Sequence, residues 1–216
     1  MSNKLQGARA NHSRLKDTLM FDGMLEQPAI GRSGGIVLLW HENVVAVTSY
    51  RQSNQEMHVM VKVITTNTHW LFSIIYASTN LTHMSLLWDN LCTLKSHYSG
   101  PWLMCGDFNQ VMSQNEKWGG RPINYTRANR FSTCMNHCDL VDLGFKGSKY
   151  TWSNHRKKDS LILKRLYRGL ANRSWISLYP NMTITHLPRT FFDHNPLLLN
   201  LDNNRNSAAP KLFRLE

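Results

Sequence analysis

The stretch Pro101-Trp-Leu-Met-Cys-Gly-Asp-Phe-Asn109 joins a short apolar run to a polar end, and the rest of the chain is organised around it. The run Trp102–Cys105 is typical of a buried strand, and Gly106 permits a sharp turn after it because glycine carries no Cβ. Asp107 and Asn109 are two residues apart, so in an extended segment their side chains project to the same face. A carboxylate and a carboxamide at the end of a strand can hold a water molecule or a metal ion, although Gly, Asp and Asn also occur together in plain turns.

The chain has 216 residues and a hydrophobic fraction of 42%. This length favours one globular domain, expected over residues 1–201, that buries roughly 70% of its unfolded surface without disulfide bonds. Residues 202–216 are polar and are expected to form a tail. The chain opens without a signal peptide and contains no run of 18 apolar residues, so we expect an intracellular protein that does not insert into a membrane.

The four cysteines show no Cys-x-x-Cys spacing. Cys134 and Cys138 are four residues apart beside His137, a spacing that can bind a metal ion. The more ordinary interpretation, which we expect, is that cysteines in apolar or helical contexts are small buried hydrophobic residues.

The positive charge of the chain is concentrated in one segment. The net charge is +11, and residues Lys146–Arg173 contain nine Lys or Arg against the single acid Asp159, which gives +8 in that segment. Tyr150 and Trp152 lie within it. Basic residues interleaved with aromatic ones favour a face that contacts nucleic acid over a merely solvated basic face.

Hydrophobic periodicity predicts alternating groups of strands and helices. The predicted strands are Ile36–Trp40, Val44–Tyr50, Met57–Ile64, His69–Tyr76, Trp102–Cys105, Lys149–Ser153, Leu161–Leu166, Thr183–His186 and Pro196–Leu201. The predicted helices are a short one within residues 1–20, then Ser85–Tyr98, Arg127–Cys138 and Ala171–Leu178. Short turns between the early strands imply antiparallel pairing, and the mixture without strict alternation predicts an α+β layered sandwich.

A second polar group, Asp193 and His194, lies just before the last predicted strand. A carboxylate beside an imidazole suits general base work, because histidine titrates near neutral pH. Asp193 also suits a hard cation such as Mg²⁺, which prefers oxygen ligands. Taken alone, the pair is also compatible with ordinary loop structure.

Six motifs taken in order carry a family resemblance. They are Ile74–Ala77 (IIYA), Gly106–Asn109 (GDFN), Tyr150–Asn154 (YTWSN), Lys164–Ala171 (KRLYRGLA), His186–Arg189 (HLPR) and Asp193–His194 (DH). In this order and spacing the chain resembles the endonuclease/exonuclease/phosphatase superfamily. It looks closest to the endonuclease domain of plant LINE-type non-LTR retrotransposons, with Gly31–Gly35 and Glu116–Gly120 fitting that branch.

The resemblance implies a DNase I-like four-layer sandwich of two mixed β-sheets flanked by helices. It implies a Mg²⁺-dependent phosphodiesterase that cuts nucleic acid, DNA above all, without a small-molecule cofactor. Carried over, Asp107 orients or deprotonates the attacking water, and Asn109 helps to hold it. His194 contacts the phosphate or transfers a proton, Asp193 supports the metal or the histidine, and Tyr76 lies near the phosphate. The residues expected to hold the nucleic-acid backbone are Trp152, Lys149, Arg156, Lys157, Lys158 and Arg165.

Departures from the family pattern predict a weakened enzyme. The chain begins where the metal-ligating Glu of the family is expected, with Ser2–Leu5 at that motif, so the opening strand-helix-strand is expected to be missing. The family Asp that orients the catalytic histidine is Tyr167 here. The alternatives are a non-catalytic nucleic-acid-binding remnant of a reverse-transcriptase polyprotein and a remnant too incomplete to fold stably.

Overall fold

A computed structural model describes residues 14–29, 35–189 and 193–201 of the chain. The strands are β1 (Gly23–Gln27), β2 (Ile36–Trp40), β3 (Val45–Ser53), β4 (Glu56–Val63), β5 (His69–Tyr76), β6 (Trp102–Asp107), β7 (Lys117–Trp118), β8 (Val141–Asp142), β9 (Lys146–Gly147), β10 (Trp152–Ser153), β11 (Leu163–Lys164), β12 (Tyr167–Ala171), β13 (Thr183–His186) and β14 (Leu197–Asn200). The helices are α1 (Leu81–His97), α2 (Tyr125–His137) and α3 (Arg173–Leu178). Residues 14–18 are also helical, while residues 1–13 and 202–216, which include the expected family Glu position and the tail, lie outside the described part.

A six-stranded mixed sheet in the order β3-β4-β5-β6-β12-β8 forms the centre of the fold. The antiparallel pairing predicted for the early strands is confirmed, because β3, β4 and β5 are successive antiparallel neighbours. The next pair, β5 and β6, is parallel and is connected by α1. Parallel neighbours end at the same edge of a sheet, so Tyr76 and Asp107 become register partners at one edge.

Helices α1 and α2 cover one face of this sheet. Asn80 begins α1 by accepting hydrogen bonds from two backbone amides of the first turn, and Asn124 caps α2 by accepting one from the Arg127 amide. The capping asparagines start each helix earlier than the apolar pattern predicts. Trp88 stacks on Phe131 at 4.9 Å between ring centroids, which joins the two helices above the sheet.

The opposite face packs against smaller sheets and against α3. A β1–β2 hairpin and a three-stranded sheet in the order β14-β13-β9 contribute apolar residues to the same cluster as Trp70, Leu103 and Trp175. The predicted strand Ile36–Trp40 is present as β2, but its continuous apolar run does not make it fully buried: Ile36 is buried and its other residues are half-buried. The predicted α+β class is confirmed by this layered mixture of sheets and helices.

Strand β12 is the central element that the sequence pattern did not predict. It pairs with β6 on one side and β8 on the other. Its sequence, Tyr167-Arg-Gly-Leu-Ala171, has a charged residue and a glycine where a buried strand normally has branched apolar residues. Arg168 is nevertheless fully buried.

No helix in the described ranges is both long and apolar enough to cross a membrane.

Candidate active site

Asp107 and Asn109 are held together by a turn rather than by an extended segment. Asn109 has a left-handed backbone with φ of 47°, and its backbone N–H donates to Asp107 Oδ1 at 2.8 Å. The Asn109 side chain donates to the carbonyl of Ala77 at 2.8 Å. The two side chains therefore do not project to the same face of an extended segment, as the sequence predicted, although both residues do belong to one site at the end of β6.

Gly106 is required inside β6 and does not end it. Its φ is 143°, and a Cβ placed on it would lie 2.0 Å from the carbonyl oxygen of Ile75 in β5. Glycine therefore permits the close approach of two parallel strands beside Asp107. The prediction that Gly106 turns the chain after the strand is wrong, because the strand that contains Trp102–Cys105 continues to Asp107.

His194 faces Asp107 across the edge of the sheet. Its Nε2 lies 3.9 Å from Asp107 Oδ2 and 3.9 Å from Asp193 Oδ2. Both distances are longer than that of a direct hydrogen bond, and polar groups at this distance are often bridged by water. Asp193 is anchored from the other side, because its Oδ2 accepts a hydrogen bond from Trp152 Nε1 at 3.0 Å.

Tyr167 occupies the position beside the histidine ring. The two rings stack at 4.8 Å between centroids with an interplanar angle of 29°. His194 Nδ1 is buried and has no hydrogen-bond partner among the described residues. The stacked phenol therefore restrains the plane of the imidazole, but it does not accept a proton from Nδ1 as a carboxylate would.

Burial makes the Asp107 carboxyl a stronger base than an ordinary aspartate. Desolvation raises its pKa, and Asp193 adds to this, while the Asn109 amide and His194 act in the opposite direction without cancelling the rise. Burial, followed by the charge of Asp107, also raises the pKa of Tyr167 to about 12. Tyr167 is therefore a neutral phenol at physiological pH.

Tyr76 is exposed at the same edge, at the end of β5. A cavity of about 300 Å³ lies beside the histidine and is lined by Tyr167, Asp193, His194, Asn195 and Pro196. The structure thus brings together Asp107, Asn109, Tyr76, Asp193 and His194 from three separate parts of the chain. Their catalytic roles remain predictions.

A second cavity, of about 220 Å³, lies next to Asn109 and is lined by three cations, Lys117, Arg127 and Lys164. We call these three residues the cationic groove. Burial first, and then the charges of Lys117 and Arg127, lower the pKa of Lys164, as expected where like charges converge. Sequence reasoning missed this group because its members come from β7, α2 and β11, and only Lys164 lies in the basic segment.

The residues predicted to hold nucleic acid differ in how far they reach the surface. Lys149, Arg156 and Lys157 are exposed, and Trp152 is half-buried with Lys164 Nζ 5.1 Å from its ring centroid. The side chain of Lys158 lies outside the described part.

The prediction that Arg165 contacts nucleic acid is wrong. Its side chain is buried and pairs with Glu116 at 3.1 Å and with Asp142 at 2.7 Å. Arg168 binds the same two carboxylates. The charge of these two arginines is therefore neutralised inside the protein, and the basic segment presents less charge to solvent than its composition indicates.

The described residues do not form a complete Mg²⁺ site. Mg²⁺ binds one or two carboxylates and completes its shell with waters and substrate phosphates. Asp107 and Asp193 offer two carboxylates, but they do not belong to a group of three His, Cys, Asp or Glu ligand atoms within 4.8 Å of one another. In the described ranges, the only such group is a cysteine cluster elsewhere. One oxygen of Asp107 and one of Asp193 already accept hydrogen bonds. In the described ranges, these carboxylates do not by themselves make a metal-binding cluster.

Comparison with known proteins identifies the fold. No protein-family model matches the chain, and no curated protein matches it. Among solved structures, it is similar to the endonuclease domain of TRAS1, a telomere-specific non-LTR retrotransposon, with 14% identity, coverage of 84% of this chain and 81% of that one, and a TM-score of 0.63. It is similar to an endonuclease/exonuclease/phosphatase family protein from Bacteroides thetaiotaomicron, with 11% identity, coverage of 87% and 78%, and a TM-score of 0.54. It is also similar to D. rerio TDP2 complexed with a single-strand DNA product, with 11% identity, coverage of 86% and 77%, and a TM-score of 0.53.

Identities this low establish the fold alone. The chain has the fold of the endonuclease/exonuclease/phosphatase proteins, and the predicted DNase I-like fold class is confirmed.

Proposed function

We propose that this domain binds nucleic acid across the edge that carries Asp107 and His194, and that its phosphodiester-hydrolysing activity is strongly weakened. The observation that carries the proposal is the position of the cationic groove. Asn109, hydrogen-bonded to Asp107, also lines the cavity that contains Lys117, Arg127 and Lys164. Phosphates held by these cations would lie beside the carboxylate and the imidazole.

The arrangement retains part of a hydrolytic site. Asp107, with its raised pKa, is suited to accept a proton from water, and His194 is suited to contact a phosphate or to transfer a proton. Two features argue for weak catalysis. His194 Nδ1 lacks a partner, among the described residues, that would orient the ring, and the described carboxylates do not complete a metal site.

The finer parts of the proposal rest on the sequence resemblance. We propose a Mg²⁺ requirement for any residual cleavage, DNA as the main substrate, an intracellular location and an origin in a non-LTR retrotransposon polyprotein. The ordered motifs support this origin, as does the similarity in fold to the TRAS1 domain. The plant LINE branch is supported by the sequence resemblance alone.

The test is a supercoiled-plasmid nicking assay on the full chain, with Mg²⁺ and with EDTA. We expect little or no Mg²⁺-dependent nicking, together with retention of the plasmid in a gel-shift assay. A substantial nicking rate that Asp107→Ala and His194→Ala both abolish would overturn the proposed impairment. Absence of any gel shift would overturn the proposed binding.

The second candidate is a purely non-catalytic nucleic-acid-binding domain, and the stacked Tyr167 favours it. Tyr167→Asp distinguishes the two, because a carboxylate at this position can accept the Nδ1 proton of His194. A weakened enzyme should nick measurably faster after this change. A non-catalytic domain should remain inactive and bind the plasmid unchanged.

A further inference from the structure

Three of the four cysteines converge between α1 and α2. Cys92 comes from α1, Cys134 from α2 and Cys138 from the residue that caps α2. Their Sγ atoms all lie within 4.8 Å of one another, and the Cys92 and Cys134 sulfurs are 3.8 Å apart. The sequence spacing pointed only to Cys134 and Cys138, because Cys92 lies 42 residues earlier in the chain than Cys134.

The cluster is buried but can be reached from solvent. Cys138 is fully buried and Cys134 nearly so, whereas Cys92 is half-buried. A cavity of about 640 Å³ opens onto Cys92 and Cys134 and is also lined by Asp89 and His137. An ion could therefore enter through the cavity and meet three sulfur ligands, with room for water or a side chain in a fourth position.

We propose that Cys92, Cys134 and Cys138 form a binding site for one thiophilic metal ion of the Zn²⁺ type. In a tetrahedral site with Zn–S bonds of about 2.3 Å, adjacent sulfurs are separated by about 3.8 Å. The Cys92–Cys134 separation matches this value, so these two ligands need little movement. Thiolates are the ligands that select such ions over Mg²⁺. The site is distinct from the Asp107–His194 edge and does not depend on the function proposed there.

The surroundings of the cluster explain how the thiols would ionise. The Cys134 hydrogen bond lowers the pKa of Cys138, and the charge of Lys95 acts in the same direction, while the pKa of Cys134 is raised by its contact with Cys138 and by burial. Cys134 Sγ also donates to the backbone carbonyl of Trp88 at 3.5 Å. Cysteine binds such an ion as a thiolate, so binding must release thiol protons. Affinity should consequently increase with pH.

The experiment is a titration of the reduced full chain with Cd²⁺, which reports thiolate coordination by ultraviolet charge-transfer absorbance, and with Zn²⁺ in competition with a chromophoric chelator. The chain is kept reduced with a phosphine, because a thiol reductant would itself bind the ion. The variant is Cys92→Ser, chosen because Cys92 is only half-buried. The matched control is Cys105→Ser, since both variants keep three cysteines and Cys105 lies in β6, outside the cluster.

We expect one ion per chain, a charge-transfer band, and a higher midpoint of thermal unfolding when Zn²⁺ is present. Cys105→Ser should behave like the unmodified chain, and Cys92→Ser should bind at least about tenfold more weakly, since the loss of even an outer-shell partner typically costs this much. Three results would each overturn the proposal: no thiolate band, equal binding by Cys92→Ser, or equal weakening in both variants. A Cys92–Cys134 disulfide that forms in the presence of Zn²⁺ under mild oxidation would also count against it, because a bound ion should protect these thiols.

Discussion

At the scale of single residues, Asp107 illustrates the conflict between a reactive site and a stable one. The carboxylate is buried at the end of a central strand, and burial raises its pKa. A carboxyl group whose pKa is higher in the folded than in the unfolded chain favours folding below its unfolded pKa. That contribution is lost as the pH rises through the folded pKa. Above that folded pKa, the charged Asp107 therefore lowers the free energy of unfolding.

We predict that Asp107→Asn increases the free energy of unfolding at pH 7. The amide oxygen still accepts the Asn109 N–H, and the buried charge is removed. The gain should exceed the roughly 0.5 kcal/mol typical of surface substitutions, and it should shrink as the pH falls toward the ordinary Asp value. Urea denaturation across this pH range measures it, with the exposed Asp159→Asn as the control. A less stable Asp107→Asn protein at pH 7 would contradict the assignment of Asp107 as a destabilising buried charge.

At the scale of elements, β12 is held in place by a four-residue ion network. Arg168 of this strand and the preceding Arg165 pair with Glu116 and Asp142, which approach from the segments before β7 and in β8. Burial opposes ionisation of Glu116, but the hydrogen bonds and charge of Arg168 outweigh it and lower the pKa. Arg165 and Arg168 outweigh burial in the same way at Asp142 and lower its pKa.

We predict that Arg168→Met lowers the free energy of unfolding at pH 7 by about 3–5 kcal/mol, because it removes one of two buried cations and leaves Arg165 alone to pair with both carboxylates. Depressed carboxyl pKa values contribute stability above the unfolded pKa, and this contribution is lost as the pH falls through the folded value. The difference in the free energy of unfolding between the unmodified protein and Arg168→Met should therefore diminish in acid, where the carboxylates are protonated.

Denaturation curves at pH 7 and in acid below the ordinary pKa values of Asp and Glu measure this effect. Arg173→Met, at an exposed position just after the same strand, should stay within about 0.5 kcal/mol of the unmodified protein. If Arg168→Met were as mild as Arg173→Met, the network would not be what holds β12 in the sheet.

At the scale of the whole molecule, cations lie near both edges of the central sheet, but only one edge carries the candidate active site. Lys117 and Lys164 line the cavity beside Asn109, at the edge where β5 and β6 end. Lys62 and Arg173 are exposed near the opposite edge, where β5 begins and β12 ends. Neutralising either pair removes the same charge from the protein. A comparison of the two double variants therefore separates the effect of position from that of net charge.

We predict sequence-independent, salt-sensitive binding to duplex DNA that depends on the first pair. Neutralising a phosphate releases counter-ions, so the slope of log affinity against log salt changes by about 0.9 for each phosphate that the protein no longer neutralises. Lys117→Gln with Lys164→Gln should therefore reduce the slope by about 1.8, whereas Lys62→Gln with Arg173→Gln should leave it nearly unchanged. Fluorescence anisotropy at several salt concentrations gives the slopes. Equal slopes for both double variants would show that the groove does not contact the phosphates.

The local sequence determined the longer strands and helices and the residues that carry the candidate chemistry. Short apolar runs identified β5, β6 and β14 because a strand inside a core needs apolar residues, and Asp107, Asn109 and His194 stand out as polar residues beside such runs. It did not predict β12, since a buried arginine in a strand is stable only when distant carboxylates meet it.

Only the tertiary structure decided which charges face the solvent and which side chains share a site. Arg165 lies 49 residues from Glu116, Cys92 lies 42 residues from Cys134, and the three cations of the groove come from three elements. Hydrophobic periodicity reports on neighbours a few residues apart along the chain. The pairing of distant segments instead depends on how the sheets and helices pack, and this packing buried Arg165, gathered the cysteines and placed Lys117 and Lys164 beside Asn109.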